Sequence, residues 1–124
     1  RVLDYAITAI PPEKINLGIP NYGYDWPLPF VRGETVAETI GNIQAIQRAV
    51  ENGVPIQYDV LSQAPFYQYL LGNVEHEVWF EDVRSMNATF DLIEEYSLRG
   101  AGYWTIMQLF RANWQLLEQR FFIQ

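Results

Sequence analysis

Residues 14–26, KINLGIPNYGYDW, contain the pattern that decides the fold of this chain. Ile15, Leu17 and Ile19 alternate with smaller or polar residues, which predicts a short buried strand. Pro20 ends the strand, because proline has no backbone N–H to donate to a sheet. The chain is therefore predicted to leave a buried strand at this proline and to enter a loop rich in aromatic residues.

That predicted loop contains Tyr22, Tyr24, Asp25 and Trp26. A buried strand that delivers aromatic rings and a carboxylate at its C-terminal end is typical of the active face of a parallel α/β barrel. Rings beside hydrogen-bonding groups also suit a sugar, which has apolar C–H faces and a rim of hydroxyls. Alternatively, the rings simply cover the end of a core, and the pattern leaves both interpretations open.

The bulk composition excludes several classes of function. The chain has 124 residues, enough for a real core but fewer than the roughly 250 of a complete eight-unit barrel. Its net charge of −7 offers no basic surface for nucleic acid or an anionic membrane, and we expect neither partner. No apolar run is long enough for a membrane span, and no signal peptide is evident at the N-terminus. The chain begins with helical residues and without a methionine, so we interpret it as a piece of a longer protein.

Metal and nucleophile chemistry is also restricted by composition. The chain has no cysteine, which excludes thiolate metal sites and cysteine nucleophiles, and it has one histidine, His76. We therefore predict no metal site and no cofactor. Because His76 alternates with valines, we expect it to be a partly buried structural residue.

The order of predicted elements is helix, strand, large insertion, helix, strand, helix. The first helix ends at two prolines, and the alternation of strand and helix favours a parallel sheet. Residues 33–81 are predicted to form a compact α+β insertion, with a helix over 33–52 and three antiparallel strands. Asp82 or Ser85 is predicted to cap the next helix, and residues 100–106 form a second buried strand.

Taken together, these motifs resemble glycoside hydrolase family 18, the chitinase-like hydrolases. Residues 14–23 resemble its seventh barrel strand, 78–85 the segment that leads into the seventh helix, and 98–104 the eighth strand with its tryptophan. The resemblance implies an α/β fold, the C-terminal portion of a (β/α)8 TIM barrel with about two barrel strands and three helices. It divides the chain into a barrel helix and seventh strand (1–32), an α+β insertion (33–81), and a barrel helix, eighth strand and final helix (82–124).

Residues 24–30, YDWPLPF, resemble the bacterial spore-cortex branch of the family, whose members cleave N-acetylglucosaminidic bonds in peptidoglycan. Tyr24 stands where chitinases more often have arginine, which favours peptidoglycan over chitin. The resemblance implies an N-acetylglucosamine-containing polysaccharide as partner and an association with the spore coat, cortex or cell wall. It also implies a retaining mechanism assisted by the substrate.

The acidic family signature DxxDxDxE, whose last glutamate is the proton donor, does not occur in this sequence. The resemblance therefore implies that the acid glutamate lies upstream, and that the chain contains no catalytic residue and is inactive alone. What it contributes, by resemblance, is substrate binding. Trp104 forms the floor under the sugar and Tyr22 lines the central subsite, while Tyr24, Asp25 and Trp26 contact substrate near the rim.

Each of these roles has a structural alternative. From sequence alone a tryptophan at a strand end is more often part of a core, and Asp25 caps a turn as readily as it contacts a sugar. For the whole chain, the alternative function is a non-catalytic, lectin-like carbohydrate-binding or interaction module. In either case two barrel strands leave edges and apolar faces open, so we expect the rest of the barrel or another chain to cover them.

Overall fold

The computed structural model describes residues 1–105 and 107–122, and it has a mixed α/β architecture. Four α-helices occur in these ranges: α1 (Val2–Ala9), α2 (Asn42–Glu51), α3 (Val83–Glu95) and α4 (Arg111–Arg120), with a 3₁₀ turn at Pro12–Lys14. The strands are β1 (Asn16–Pro20), β2 (Gly23–Pro27), β3 (Glu38–Ile40), β4 (Gln57–Asp59), β5 (Ala64–Leu71), β6 (Val74–Trp79) and β7 (Gly100–Trp104). None of the helices in the described ranges has the length and apolar character needed to cross a membrane.

Strands β1 and β7 form a two-stranded parallel sheet, as the sequence predicted. Leu17 and Ile19 of β1, with Ala101 and Tyr103 of β7, pack into the apolar cluster that α3 and α4 cover. Because side chains alternate across a strand, the residues between them lie on the opposite face of this sheet. That second face is made mostly of glycine and proline, and it includes Trp104.

The other five strands form an antiparallel sheet in the order β3-β2-β6-β5-β4. The prediction of a loop after Pro20 was wrong, since β2 pairs with both β3 and β6. A glycine at position 23 permits this pairing. A Cβ there would lie 2.6 Å from the carbonyl oxygen of Trp79 and 2.7 Å from the Cβ of Phe80, so β2 approaches β6 more closely than any larger residue allows.

Helix α2 covers one face of the five-stranded sheet, but it is shorter than predicted. Val36 is exposed and Ile40 is buried in β3, so only the second half of residues 33–52 is helical. The β-branched pair Thr39 and Ile40 gains a partner strand, which outweighs the apparent helical spacing of the sequence. Contact with the sheet is direct, because the Tyr67 hydroxyl donates to the Ala45 carbonyl at 2.6 Å.

Two local predictions were confirmed by the backbone. Strands β5 and β6 form a hairpin in which Leu71 pairs with Val74, and Gly72 has a φ of +61° that favours glycine. At the start of α3, Asp82 accepts from the Ser85 backbone N–H at 3.0 Å, and the Ser85 hydroxyl accepts from the Asp82 N–H at 2.9 Å. This capping box fixes the point at which the chain leaves the five-stranded sheet and enters α3.

Candidate functional site

The two parallel strands end side by side, and Pro20 lies opposite Trp104 in their register. Trp104 is 73% exposed, on the face of the sheet opposite the cluster that the described helices α3 and α4 cover. Its neighbour Tyr103 lies on the other face, where its hydroxyl donates to Asn113 Oδ1 of α4 at 3.0 Å. The alternation of side chains thus separates a structural aromatic residue from one that is free to contact a ligand.

Three of the predicted site residues form a continuous row of rings. Tyr22 and Tyr24 pack edge to face at 5.4 Å between centroids, and Tyr24 and Trp26 follow at 5.8 Å. Phe30 extends the row, with its ring 5.6 Å from Trp26. Tyr24 and Trp26 lie on the face of the five-stranded sheet opposite α2, so the row begins next to the end of β1 and continues across the insertion.

Next to this row is a cavity of about 210 Å³ lined by Tyr22, Tyr24, Trp79 and Glu81, together with Pro20, Gly23, Ala64 and Phe80. Trp79 is the cross-strand partner of Tyr24 and stacks on Phe66 at 4.7 Å. Trp79 was not predicted as a site residue, because its place beside Tyr24 depends on the pairing of β2 with β6. The available signal was that Trp79 lies next to Val78 in an alternating strand and so is on the opposite face from it. That signal does not reveal which strand pairs with β6.

Glu81 is the acidic group of this cavity. Burial raises the pKa of its carboxyl from 4.5 to about 7, and the hydrogen bond from Ser85 opposes this rise only in part. The Ser85 hydroxyl donates to Glu81 Oε2 at 2.5 Å, while the Glu81 backbone N–H donates to Asn42 Oδ1 at 3.0 Å. The sequence favoured a purely structural role for Glu81, and these two contacts do anchor it at the entry to α3.

Asp25 is buried on the α2 face of β2, away from the rings of its neighbours. Its Oδ2 accepts from Arg48 Nη1 at 2.5 Å and from the Tyr69 hydroxyl, and its Oδ1 lies 2.7 Å from His76 Nδ1. Arg48 also pairs with Glu38 at 2.9 Å. Both oxygens of the Asp25 carboxylate are thus engaged within the insertion.

This position differs from both interpretations of Asp25 drawn from sequence. Asp25 caps no turn, since it lies within a strand, and its carboxylate does not line the aromatic cavity. The predicted contact of Asp25 with a sugar therefore stays a prediction that this geometry does not favour. His76 is half-buried in the insertion and faces α2, which confirms its predicted structural role.

Within the described ranges, no cluster of three or more histidine, cysteine, aspartate or glutamate residues has a geometry that could hold a metal ion. The lining of the cavity includes four aromatic residues and one carboxyl, that of Glu81. Aromatic residues beside a carboxyl are suited to binding a neutral, partly apolar ligand by stacking and hydrogen bonding.

The model of the family described as Glycosyl hydrolases family 18 matches residues 1–108. The chain belongs to this family. The resemblance to this family is therefore confirmed, and the chain is glycosidase-related and chitinase-like.

Similar proteins include a cortical fragment-lytic enzyme and a di-N-acetylchitobiase. The cortical fragment-lytic enzyme of Bacillus subtilis (strain 168) is 48% identical over 121 residues, a match that covers 97% of this chain and 28% of that protein. The di-N-acetylchitobiase of Rattus norvegicus is 31% identical over 121 residues, covering 82% of this chain and 32% of that protein.

Solved structures of similar proteins have the same fold over most of this chain. The spore cortex-lytic enzyme SleL of Bacillus megaterium QM B1551 superposes with a TM-score of 0.95 at 48% identity, covering 99% of this chain and 29% of SleL. A chitinase of Chromobacterium violaceum superposes with a TM-score of 0.83 at 27% identity, covering 94% and 36%. The chain thus spans under a third of the cortex-lytic relatives, and its mixed α/β fold is a portion of theirs.

Proposed function

We propose that this chain is the C-terminal portion of a (β/α)8 barrel in a longer family 18 glycoside hydrolase. Strands β1 and β7 are then the seventh and eighth barrel strands, and 33–81 is the insertion between them, extended by β2. Residues 1–32 and 82–124 supply the barrel portions on either side. The parallel pairing of β1 with β7 and the superposition on part of SleL support this assignment.

The longer protein hydrolyses β-1,4 N-acetylglucosaminidic bonds, in spore-cortex peptidoglycan or a chitin-like polymer. Its acid glutamate lies outside these 124 residues and protonates the leaving oxygen, while the substrate's own acetamido group attacks the sugar carbon with retention. This chain supplies binding surface: Trp104 beneath the sugar, Tyr22 beside it, and Tyr24 and Trp26 toward neighbouring sugars. The named activities of the cortex-lytic and chitobiase relatives support this substrate class.

The observation that carries the proposal is the shared edge of β1 and β7. Since the strands are parallel and Pro20 is opposite Trp104, their carboxyl ends bring Trp104 and the segment containing Tyr22 to one edge of the sheet. In α/β barrels, the carboxyl ends of the strands form the active face. The uncovered face that contains Trp104 would then point into the barrel, where the remaining strands would cover it.

The Bacillus relatives named for cortex lysis favour peptidoglycan, and with it a place in the spore cortex or cell wall. A tyrosine at position 24, where chitinases more often have arginine, agrees with a preference for peptidoglycan. Comparing the hydrolysis of purified cortex fragments with that of a chitin oligomer by the full-length protein would decide between the two substrates.

Replacement of Trp104 by alanine in the full-length protein tests the cleft directly. We expect a roughly ten- to hundredfold loss in kcat/KM on an N-acetylglucosamine oligomer, because the substitution removes the stacking surface under the reacting sugar. Trp104→Phe should recover part of the loss. Tyr5→Ala is a matched control, since Tyr5 is 77% exposed on α1 and distant in sequence from both strands. Kinetics of Trp104→Ala equal to those of the control would remove Trp104 from the cleft.

The 124-residue chain alone should not hydrolyse the same oligomer, because it lacks the DxxDxDxE motif. Release of reducing ends by the purified chain would show that the acid group lies within it. In the full-length protein, an intact upstream motif supports the enzyme, whereas a substituted final glutamate supports the carbohydrate-binding alternative.

A further inference from the structure

Glu81 has one carboxylate oxygen that its protein contacts do not use. Oε2 accepts the Ser85 hydroxyl, and the hydrogen bonds among residues 1–105 and 107–122 leave Oε1 without a partner. The residue lines the aromatic cavity and is only partly exposed. A carboxyl in a cavity wall that is held by one oxygen has its second oxygen available to a ligand.

The walls around Glu81 are suited to a sugar. Tyr22, Tyr24 and Trp79 contribute rings to the same cavity, and stacking on such rings is favourable for the C–H face of a pyranose. Tyr22 is the residue proposed above to line the central subsite. A ligand in the cavity would therefore be the next sugar of a chain that already lies beside Tyr22.

We propose that Glu81 is a specificity-determining residue of this cavity, selecting an uncharged amino sugar and disfavouring a sugar that bears a carboxylate. The inference rests on the proposed function, because it requires a polysaccharide in the cleft. An uncharged sugar can donate a hydroxyl or amide hydrogen to the free Oε1 atom. An anionic sugar places a second negative charge close to Glu81 in surroundings that water screens poorly.

The selection should depend on pH, since only the ionised carboxyl repels an anion. Burial raises the pKa of Glu81 to about 7, so repulsion should develop as the pH rises through this value. The other titratable groups near it are Asp82 and Tyr58, with Arg84 placed 4.3 Å over the Tyr58 ring, and the hydroxyls of Tyr22 and Tyr24. Asp82 is engaged by the capping box and by Arg84 at 2.8 Å and does not line the cavity, so Glu81 is the carboxyl of this set that lines it.

Binding of two sulfur-linked, hydrolysis-resistant oligomers to the full-length protein tests this inference. One oligomer contains only N-acetylglucosamine, and in the other it alternates with N-acetylmuramic acid, which carries a carboxylate. Dissociation constants are measured by calorimetry at pH 5.5 and 8.5. In the wild type, the preference for the neutral oligomer should rise about tenfold between these pH values, which lies toward the lower end of the range expected for two unit charges about 4 Å apart, between bulk water and a protein surface.

In the Glu81→Gln protein, the preference for the neutral oligomer should not change with pH. In the Glu75→Gln protein, it should rise with pH as in the wild type. The control removes the same charge from the exposed start of β6, the strand that leads toward Glu81, so it separates a local effect from the net charge of −7. A preference in the wild type that does not change with pH, or a Glu81→Gln protein that retains the change, would overturn the role of Glu81. Failure of the wild type to bind either oligomer would instead overturn the proposed carbohydrate cleft, and with it this inference.

Discussion

The two regions of the molecule have cores of different kinds. The core of the insertion contains two tyrosines and adjoins a buried charged network, and its members are Ile40, Ala45, Ala49, Tyr67, Tyr69, Val78 and Phe80. Among the described residues, the core of the barrel portion has no charged network, although Tyr103 donates to the buried Asn113 beside it. Its buried hydrophobic members are Ile19, Met86, Phe90, Ile93, Leu98 and Phe110. Apolar burial tolerates changes of shape if volume is kept, whereas a polar network requires every donor to find its acceptor. We infer that the insertion depends on exact geometry and the barrel portion on burial.

The regions also differ in what they leave uncovered. In the insertion, α2 covers one face of the sheet, and Asp25, Arg48 and His76 join the helix to two strands. In the barrel portion, α3 and α4 cover only one face of β1 and β7. In the insertion, the sheet face that contains Asp25 and His76 is thus covered by the insertion's own helix. In the barrel portion, the uncovered face contains Trp104, the residue proposed to contact substrate.

Loss of the Asp25 carboxylate should have the largest effect on stability. Asp25→Ala leaves the partly buried Arg48 and the Tyr69 hydroxyl without their shared acceptor, and breaking a buried ion pair in this way costs about 3–5 kcal/mol. Native-state hydrogen exchange of the β5 and β6 amides in the full-length protein would measure this local loss.

The control for Asp25 is Glu38→Ala, which removes the exposed partner of the same Arg48 guanidinium. An exposed ion pair contributes at most about 1 kcal/mol, so its removal should leave exchange almost unchanged. Equal effects of the two substitutions would contradict the view that the insertion depends on its buried network. They would also reopen the prediction that Asp25 serves the substrate.

Glu81 lies at the joint between the two regions, and its titration should weaken α3 as the pH rises. Its pKa is 4.5 when unperturbed and about 7 in the folded protein, so the folded state binds the proton more tightly. Stability from this group is complete below pH 4.5 and is lost between pH 4.5 and about 7, by up to about 3 kcal/mol. The difference in unfolding free energy between Glu81→Gln and wild type, followed across this range, isolates the effect from other groups. A difference independent of pH would contradict the raised pKa.

The sequence predicted the parts of the fold that depend on local pattern. The alternation in 15–19, the Gly72 hairpin and the helix cap at Asp82, the first of its two candidates, each involve residues close along the chain, and each was confirmed. Strand β2 could not be predicted in this way, because two aromatic residues and an aspartate between a glycine and a proline are equally consistent with a loop until β3 and β6 lie beside them.

The site was predictable to a similar extent. Tyr22, Tyr24 and Trp26 were grouped correctly because they are close in sequence, and the structure brings their rings into one row. Asp25 was grouped with them for the same reason, yet strand alternation turns it to the opposite face. Trp79 joins the row from more than fifty residues away through strand pairing, and no local pattern carries that information.

Phe90→Leu should have the smallest effect and would sharpen the comparison of the two cores. Phe90 is fully buried in the barrel portion and meets Phe121 edge to face at 5.1 Å. Leucine keeps the side chain apolar and much of its volume, so we expect a loss of about 1 kcal/mol, chiefly from the aromatic pair. The exchange rates of α3 amides would report it, because this helix holds Phe90. Replacing Phe90 by leucine leaves no hydrogen-bond donor or acceptor unpaired. A loss as large as that of Asp25→Ala would therefore mean that the barrel core depends on exact geometry as much as the charged network does.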